Sequence, residues 1–260
     1  MNEIKNYWDK QAEEKGHLKN ATVNDYYFRD LEVYIAKKYL SKDNLVLDVG
    51  CGNGQATLDC SCEVFKCIGV DYSEKMVEKS IGNMEKRGIE NVEFYCQDAT
   101  NLKFGDGFFD VVIMSRVLIN IPQLNLQTKA IDEATRVLKP NGLFLLLEPT
   151  KQGHKQTDMA RKKFGLPALK KHWHNDYIDE LYFGEYLQKY FILKETHRFS
   201  LYMLISKLLY PKSIYPKEPS FLSEMNRFAM EISKNFLEIE GRGIGHNLMW
   251  ILQKKNWESL

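Results

Sequence analysis

Asp48, Asp71 and Asp98 each stand at or just past the end of a short apolar run, where a side chain from a buried strand would meet a ligand. Asp48 leads into Gly50-Cys51-Gly52-Asn53-Gly54. Glycines there let the backbone turn tightly and approach a bound molecule closely. A dinucleotide loop wants its third glycine at position 55, which is Gln55, and a phosphate loop wants Gly-Lys-Ser/Thr, which is missing. A carboxylate beside the loop would repel a pyrophosphate and favour a cation or an ammonium group. Asp71 is placed to accept both hydroxyls of a ribose. Asp98 is placed to accept from the exocyclic amine of a base. The series asks for a nucleoside with an amino-acid tail and positive charge.

The elements that must hold these acids follow from the pattern around them. Residues 45–49 form an apolar run bounded by glycines, the signature of a buried parallel strand. Residues 67–70 read as a second strand. Ser73 then caps a helix carrying Met76, Val77 and Ile81, which Gly88 stops. Residues 92–96, 108–114 and 143–147 read as further strands, with a helix over 124–138 closed by Lys139-Pro140-Asn141-Gly142. Strand and helix in alternation predict βαβ units and a parallel sheet with helices on both faces. Ligands of such sheets sit at the carboxyl ends of the strands, near the switch in strand order. The first forty residues look helical. Beyond Pro149 the pattern predicts a polar, basic stretch over 150–175, a helix over about 176–189, a strand over 191–198, mainly helical 199–240 and a last strand over 246–254.

The whole chain sets the limits. It has 260 residues, 44% hydrophobic and 27% charged, with a net charge of +1. That is one sizeable core with a cap, and not a strongly basic nucleic-acid protein. No apolar run reaches the roughly 18 residues of a membrane span, and the N-terminus is too polar for a signal-peptide core. The five cysteines show no paired spacing, so a disulfide framework is not expected. Cys60, Cys62 and Cys67 lack a histidine to complete a zinc set, so no metal is expected. These features predict a soluble, cytoplasmic protein, monomer or homodimer, with no membrane partner and no nucleic acid.

S-adenosylmethionine has the parts the three acids ask for, and the motifs agree. The chain from about residue 45 to 150 resembles the class I S-adenosylmethionine-dependent methyltransferases. VLDVGCGNG (46–54) is similar to their first motif, GVDYSEKMVEKS (69–80) to the ribose motif and CQDATNLKF (96–104) to the adenine motif. FDVVIMSRVLINI (109–121) and RVLKPNGLFLLLEP (136–149) resemble the later strands, and YWDKQAEEKG resembles a leading helix that closes over the cofactor. The resemblance implies a Rossmann-like α/β sheet of seven strands, mostly parallel with an antiparallel last strand. It implies an N-terminal helical cap (1–40), a cofactor-binding core (41–198), a helical lid (199–245) and a last core strand (246–260).

The resemblance also implies roles. Asp48, with Gly50, Cys51 and Gly52, would face the methionine portion. Asp71 would hold the ribose, with Tyr72 and Met76 beside the adenine. Asp98 and Ala99 would read the adenine edge. Ser115 and Arg116 would border the methionine tail, and S-adenosylhomocysteine would be the product. Relatives often carry His near position 120, where this chain has Asn120, so no catalytic role transfers there.

Transfer to a hydroxyl needs a base, worth about 10²–10⁴-fold. Glu148, at the end of the fifth strand, is the best placed by position. His172, His174 and His246 follow, with His154 and Asp176 also in range. His17 and His197 read as structural. Tyr202, Tyr210, Tyr215 and Phe221 would line an acceptor pocket or form the lid's own core. Arg161 would contact a phosphate. A faint likeness of HWHNDY and GHNLMWILQKK to methyltransferases of bacterial capsule and surface-polysaccharide biosynthesis points to O-methylation of a sugar, sugar nucleotide or phosphorylated intermediate. The alternatives are a tRNA methyltransferase and a non-catalytic cofactor-binding protein whose acceptor pocket has closed.

Overall fold

The computed structural model describes residues 2–240 and 243–256. Its centre is a seven-stranded sheet in the order β3-β2-β1-β4-β5-β7-β6. The strands are β1 (Leu45–Val49), β2 (Lys66–Asp71), β3 (Val92–Cys96), β4 (Phe109–Ser115), β5 (Leu138–Pro149), β6 (Phe191–His197) and β7 (Asn247–Lys254). The pairs from β3 through β5 are parallel, and β7 runs antiparallel to both β5 and β6. This is the Rossmann-like methyltransferase sheet with an antiparallel β7. The chain steps outward from β1 to β2 and β3, then returns to the other side of β1 with β4. The strand order therefore reverses at the carboxyl ends of β1 and β4, where this class of sheet opens a crevice.

Alternation along the strands explains why both faces are apolar. Leu47 and Val49 pack into one core with Ile68, Val70, Val112, Met114, Phe144 and Leu146. Their neighbours Val46, Cys67, Val111, Leu145 and Leu147 pack into a second core on the opposite face. The first face is covered by α5 (Leu124–Val137) and α7 (Glu180–Gln188), through Ala130, Ile131, Ala134, Phe183 and Leu187. The second is covered by α2 (Tyr26–Lys37), α3 (Gln55–Cys60) and α4 (Glu74–Arg87), through Leu31, Ile35, Leu58 and Val77.

The same second core continues into the C-terminal cap. There α8 (Ser200–Met203), a π-helical turn over Leu204–Leu209 and α9 (Tyr210–Ile214) run on from one another, followed by α10 (Glu224–Asn235) and α11 (Leu237–Glu240). Tyr202 is fully buried in this core and donates to Asp25 Oδ1 at 2.6 Å. Of the predicted lid aromatics, it belongs to the interior and not to a pocket wall.

Several boundaries differ from the sequence reading, each for a local reason. β5 begins at Leu138, not 143, because Leu138 pairs with Phe109 before a register shift, with Asn141 at φ 62° in the irregular stretch. Residues 150–175 hold a helix, α6 (Lys151–Lys163), started by Thr150, whose hydroxyl accepts from Gly153 N. Its polar composition hid it, since only Gly153, Thr157 and Arg161 are buried. α7 starts at Glu180, not 176, because Asp179 caps it and residues 176–178 run extended, tied to Ile119 and Pro149. The N-terminal forty residues split into α1 (Asn2–Lys15) and α2, joined by a non-helical 16–25. Gly241, Arg242 and residues 257–260, part of the lid and last-strand segments read from sequence, lie outside the described residues.

Candidate active site

The carboxyl ends of β1, β2 and β4 open into a cavity of about 880 Å³. Gly50 and Gly52 sit at φ 74° and 55°, and a Cβ on them would stand 2.4 Å from Val117 Cγ2 and 2.6 Å from Thr22 Cγ2. Their value is close approach. The loop's amides are already committed: Gly50 N and Cys51 N donate to Val70 O, and Gly52 N donates to Asp71 Oδ2 at 3.0 Å. The amides at Gly50 and Gly52 thus shape the cradle instead of holding a methionine carboxylate.

Asp71 ends β2 and also accepts from Ser73 N at 2.9 Å. The carboxylate keeps acceptor capacity for a further donor after its backbone bonds. Burial pushes its carboxyl up to about 6, against the backbone donors that hold it down. Asp48 is buried and accepts from Thr57 Oγ1 at 2.5 Å; burial lifts it to about 6 as well. Asp98 is exposed, and its Oδ1 accepts from Thr100 N and Oγ1, which fixes the turn after β3. Cys51, Tyr72, Met76, Ala99, Ser115 and Arg116 line the cavity with these acids. Ser115 Oγ and Tyr72 Oη are buried without a partner. Buried orphans beside a row of acids fit a polar adenosyl ligand, since such groups otherwise cost about 1–3 kcal/mol each. Arg116 takes φ 57°, donates its backbone N–H to Leu147 O and its Nη1 to buried Glu32 at 2.5 Å.

The base candidates separate. Glu148 is fully buried and does not line the cavity. Its oxygens accept from Val117 N at 2.8 Å, Leu118 N at 2.7 Å and Ile119 N at 3.4 Å. It anchors the turn after β4, so the position that looked best from sequence is structural. Burial raises its carboxyl to about 8. His154 lies off the cavity, its Nε2 facing Asp158 at 3.3 Å and its ring against Tyr177. Asp176 faces Lys171 at 3.8 Å on the surface. His17 lies off the cavity, and His197 pairs with Tyr39.

His172, His174 and His246 line the cavity. His246 Nε2 meets the Asn247 side-chain amide nitrogen at 3.2 Å. An amide N–H only donates, so Nε2 accepts and the ring proton of neutral His246 sits on Nδ1. Its basic lone pair is occupied. Burial, then the charges of Lys207, His154 and Arg116, pulls this imidazole down to about 3. His174 is buried against Tyr7 at 4.3 Å between centroids, with Trp8, Trp173 and His172 around it. Burial and the neighbouring His172 pull it down to about 4. A proton NMR titration is expected to find the His174 ring uncharged at neutral pH, with its midpoint near 4; a midpoint at the ordinary 6.5 would put the ring in water.

Two covers close the cavity. From one side α1 lays Asp9 on Ser73 and Trp8 Nε1 on Asn120 Oδ1 at 3.2 Å. From the other, Asp25 ties the lid to α2, accepting from Phe28 N, Tyr202 Oη, Asn226 Nδ2 and Lys207 Nζ. Asp25 and Lys207 escaped the sequence reading; an acid immediately before a helix is an N-cap signal, but its cross-chain partners left no mark. Arg161 gives its Nε to Pro167 O and its Nη1 to Lys207 O, so it fastens α6 to the lid. Phe221 lines the cavity, whereas Tyr202, Tyr210 and Tyr215 do not. No metal-holding group of His, Cys, Asp and Glu occurs among the described residues.

Comparison with known proteins agrees with this architecture. The methyltransferase domain family matches residues 40–185, more than half of the chain, and the chain belongs to that family. It is 35% identical over 119 residues to the uncharacterized methyltransferase YcgJ of Bacillus subtilis, covering 46% of each chain. It is 37% identical over 131 residues to a demethylmenaquinone methyltransferase of Staphylococcus saprophyticus, covering 48% of this chain and 54% of that one. The chain thus spans about half the length of the curated relatives it matches. A chain from the complex between the Haloferax volcanii Trm112 methyltransferase activator and a protein assigned as a methyltransferase shares the fold, with a TM-score of 0.63, 15% identity and coverage of 96% of this chain and 98% of that chain. The likeness to polysaccharide-pathway enzymes read from the C-terminal part finds no support in these relatives.

Proposed function

We propose that this protein transfers a methyl group from S-adenosylmethionine to a small acceptor held beneath the C-terminal cap. The observation that carries the reading is one continuous cavity. It is lined by Asp71 and Asp98 at one end, by Ser115 in the middle and by His174 and His246 towards the caps. At about 880 Å³ it falls in the upper part of the range for small-molecule sites, roughly 300–1,000 Å³. That favours a cofactor and a second molecule side by side. It also speaks against a closed, non-catalytic pocket.

When bound, S-adenosylmethionine supplies an electrophilic methyl carbon on a sulfonium. Asp71 is assigned to the ribose hydroxyls and Asp98 to the adenine amine. Asp48 presents negative potential toward the cationic end. Positioning of the acceptor beside that end supplies much of the rate, of order 7–11 kcal/mol at best. His174, held neutral at pH 7 because burial lowers it to about 4, is a weak base and is assigned to orient the acceptor's polar group. The walls toward the lid are Phe28, Val33, Leu145, Leu147, Met203 and Met249. They favour an acceptor with an apolar body and a single polar methylation site over a bare sugar.

Isothermal calorimetry with S-adenosylhomocysteine tests the reading: binding is expected with one site per chain, and NAD and ATP are expected to give no heat. Uptake of NAD or ATP without S-adenosylhomocysteine would reject it. With S-adenosylmethionine supplied as donor, formation of S-adenosylhomocysteine on addition of apolar hydroxylated or quinol compounds then identifies the acceptor.

A further inference from the structure

Two segments border the cavity beside the lid. Residues Pro167, Ala168, Leu169 and Lys170 line it from one, and Glu218, Pro219, Ser220 and Phe221 from the other. They adjoin: Lys170 faces Glu218 at 3.8 Å, Lys212 Nζ lies beside Gly165, and Lys207 stacks over the Phe221 ring.

Both segments expose large apolar side chains. Trp173 is 63% exposed and Phe164 37% on the first. On the second, Leu222, just before α10, and Met225 and Phe228 on its first turns are exposed, Leu222 at 52% and Phe228 at 51%. Phe164 and Leu222 stand on the two adjoining segments, close in sequence to residues that line the cavity, and exposed apolar residues on such a surface mark an interaction site.

The charge of the rim says what covers it. Lys162, Lys163, Lys170, Lys171, Lys212 and Lys217 are all exposed. The nearby carboxylates have partners: Glu218 faces Lys170, Asp176 faces Lys171, Glu224 faces Arg227, Glu231 faces Lys234, and Asp158 faces His154 and accepts from Leu169 N. Lys162, Lys163, Lys212 and Lys217 remain as surplus positive charge. A second copy meeting this face about a two-fold axis would set lysines against lysines. RNA stacking would use the rings of Phe164 and Phe228 and leave Leu222 and Met225 without a role, whereas a bilayer takes aliphatic and aromatic side chains alike. Exposed apolar side chains and surplus lysines on the same two segments match the headgroup region of an anionic bilayer, where the apolar groups enter the acyl boundary and the lysines meet lipid phosphates.

We infer that this face seats the protein on an anionic membrane surface, with the cavity drawing its acceptor from the lipid. The membrane contact stands on the rim alone. The route of the acceptor rests on the methyltransferase reading.

Vesicle sedimentation tests the contact. The full chain is expected to pellet with vesicles of phosphatidylcholine and phosphatidylglycerol, not with phosphatidylcholine alone, and to be released by high salt. The quadruple variant K162Q/K163Q/K212Q/K217Q and the triple variant L222S/M225S/F228S are each expected to lose about tenfold or more in partitioning. Both should keep the S-adenosylhomocysteine affinity of the parent, which shows that they fold. The inference is overturned if the parent stays in the supernatant, or if both variants pellet as it does. It is also overturned if the same substitutions instead abolish a dimer or binding to an RNA oligonucleotide without any vesicle binding. Vesicle binding without S-adenosylhomocysteine binding would leave the surface standing and remove the methyltransferase reading; the converse would do the opposite.

Discussion

Asp71→Ala is expected to lower S-adenosylhomocysteine affinity by at least about 100-fold, close to 3 kcal/mol. Two losses add. The ribose hydroxyls lose a carboxylate acceptor, and hydrogen bonds to charged groups contribute about 1.5–3 kcal/mol. Gly52 N and Ser73 N also lose their acceptor, which loosens the glycine cradle and the cap of α4 together. Asp71→Asn separates the two, because its amide oxygen can still accept from one amide. Acid adds a second readout. Burial holds the Asp71 carboxyl at about 6, so affinity falls as pH drops through 6 and the acceptor becomes a protonated acid. Asp48 titrates in the same region, so Asp71→Asn is expected to make the fall shallower without removing it. Affinity unchanged in Asp71→Ala would move the cofactor elsewhere.

The parts of this site that were legible in the sequence are those where local pattern and chemistry coincide. A five-residue strand ending in glycines has few alternatives, so β1 and its loop were readable, and Asp71 followed from the next strand end. Strand–helix alternation gave a parallel sheet with helices on both faces, whereas the seven strands and the antiparallel last one came from the family resemblance and the strand order from the fold itself. Two things were not readable. One was α6, whose exposed face is nearly all polar because it packs through Gly153, Thr157 and Arg161. The other was what buried polar atoms touch. Glu148 at a strand end looked like a base, yet its neighbours are amides about thirty positions away in sequence. Arg161 looked like a phosphate ligand, yet two carbonyls claim it. His246 looked like a base until the Asn247 amide beside it decided which nitrogen holds the proton. Composition does not encode such partners; only the closed fold brings them together.

Glu148 therefore carries the second large effect, on stability. Glu148→Ala leaves Val117 N, Leu118 N and Ile119 N without an acceptor next to fully buried Leu118. Each unsatisfied buried donor costs about 1–3 kcal/mol, and the vacated volume costs more. A total of about 4 kcal/mol or more is a large share of a typical 5–15 kcal/mol stability and lowers Tm by roughly 10 °C or more. Glu148→Gln keeps the volume and one carbonyl oxygen, and is expected to recover most of the loss. The two variants differ from the parent in a pH-dependent way as well. Burial raises the folded carboxyl from 4.5 to about 8. Between those values the folded chain binds a proton that the unfolded chain has released. The contribution of Glu148 is therefore fully present below 4.5, declines as pH rises, and is lost above 8. Urea melts across this window are expected to show the parent losing stability relative to Glu148→Gln by several kcal/mol as pH rises. A constant difference across the window would mean that Glu148 is ionised throughout, held by its three amide donors. In that case the turn after β4 is tied by a carboxylate, and Glu148→Gln would be the weaker protein at every pH.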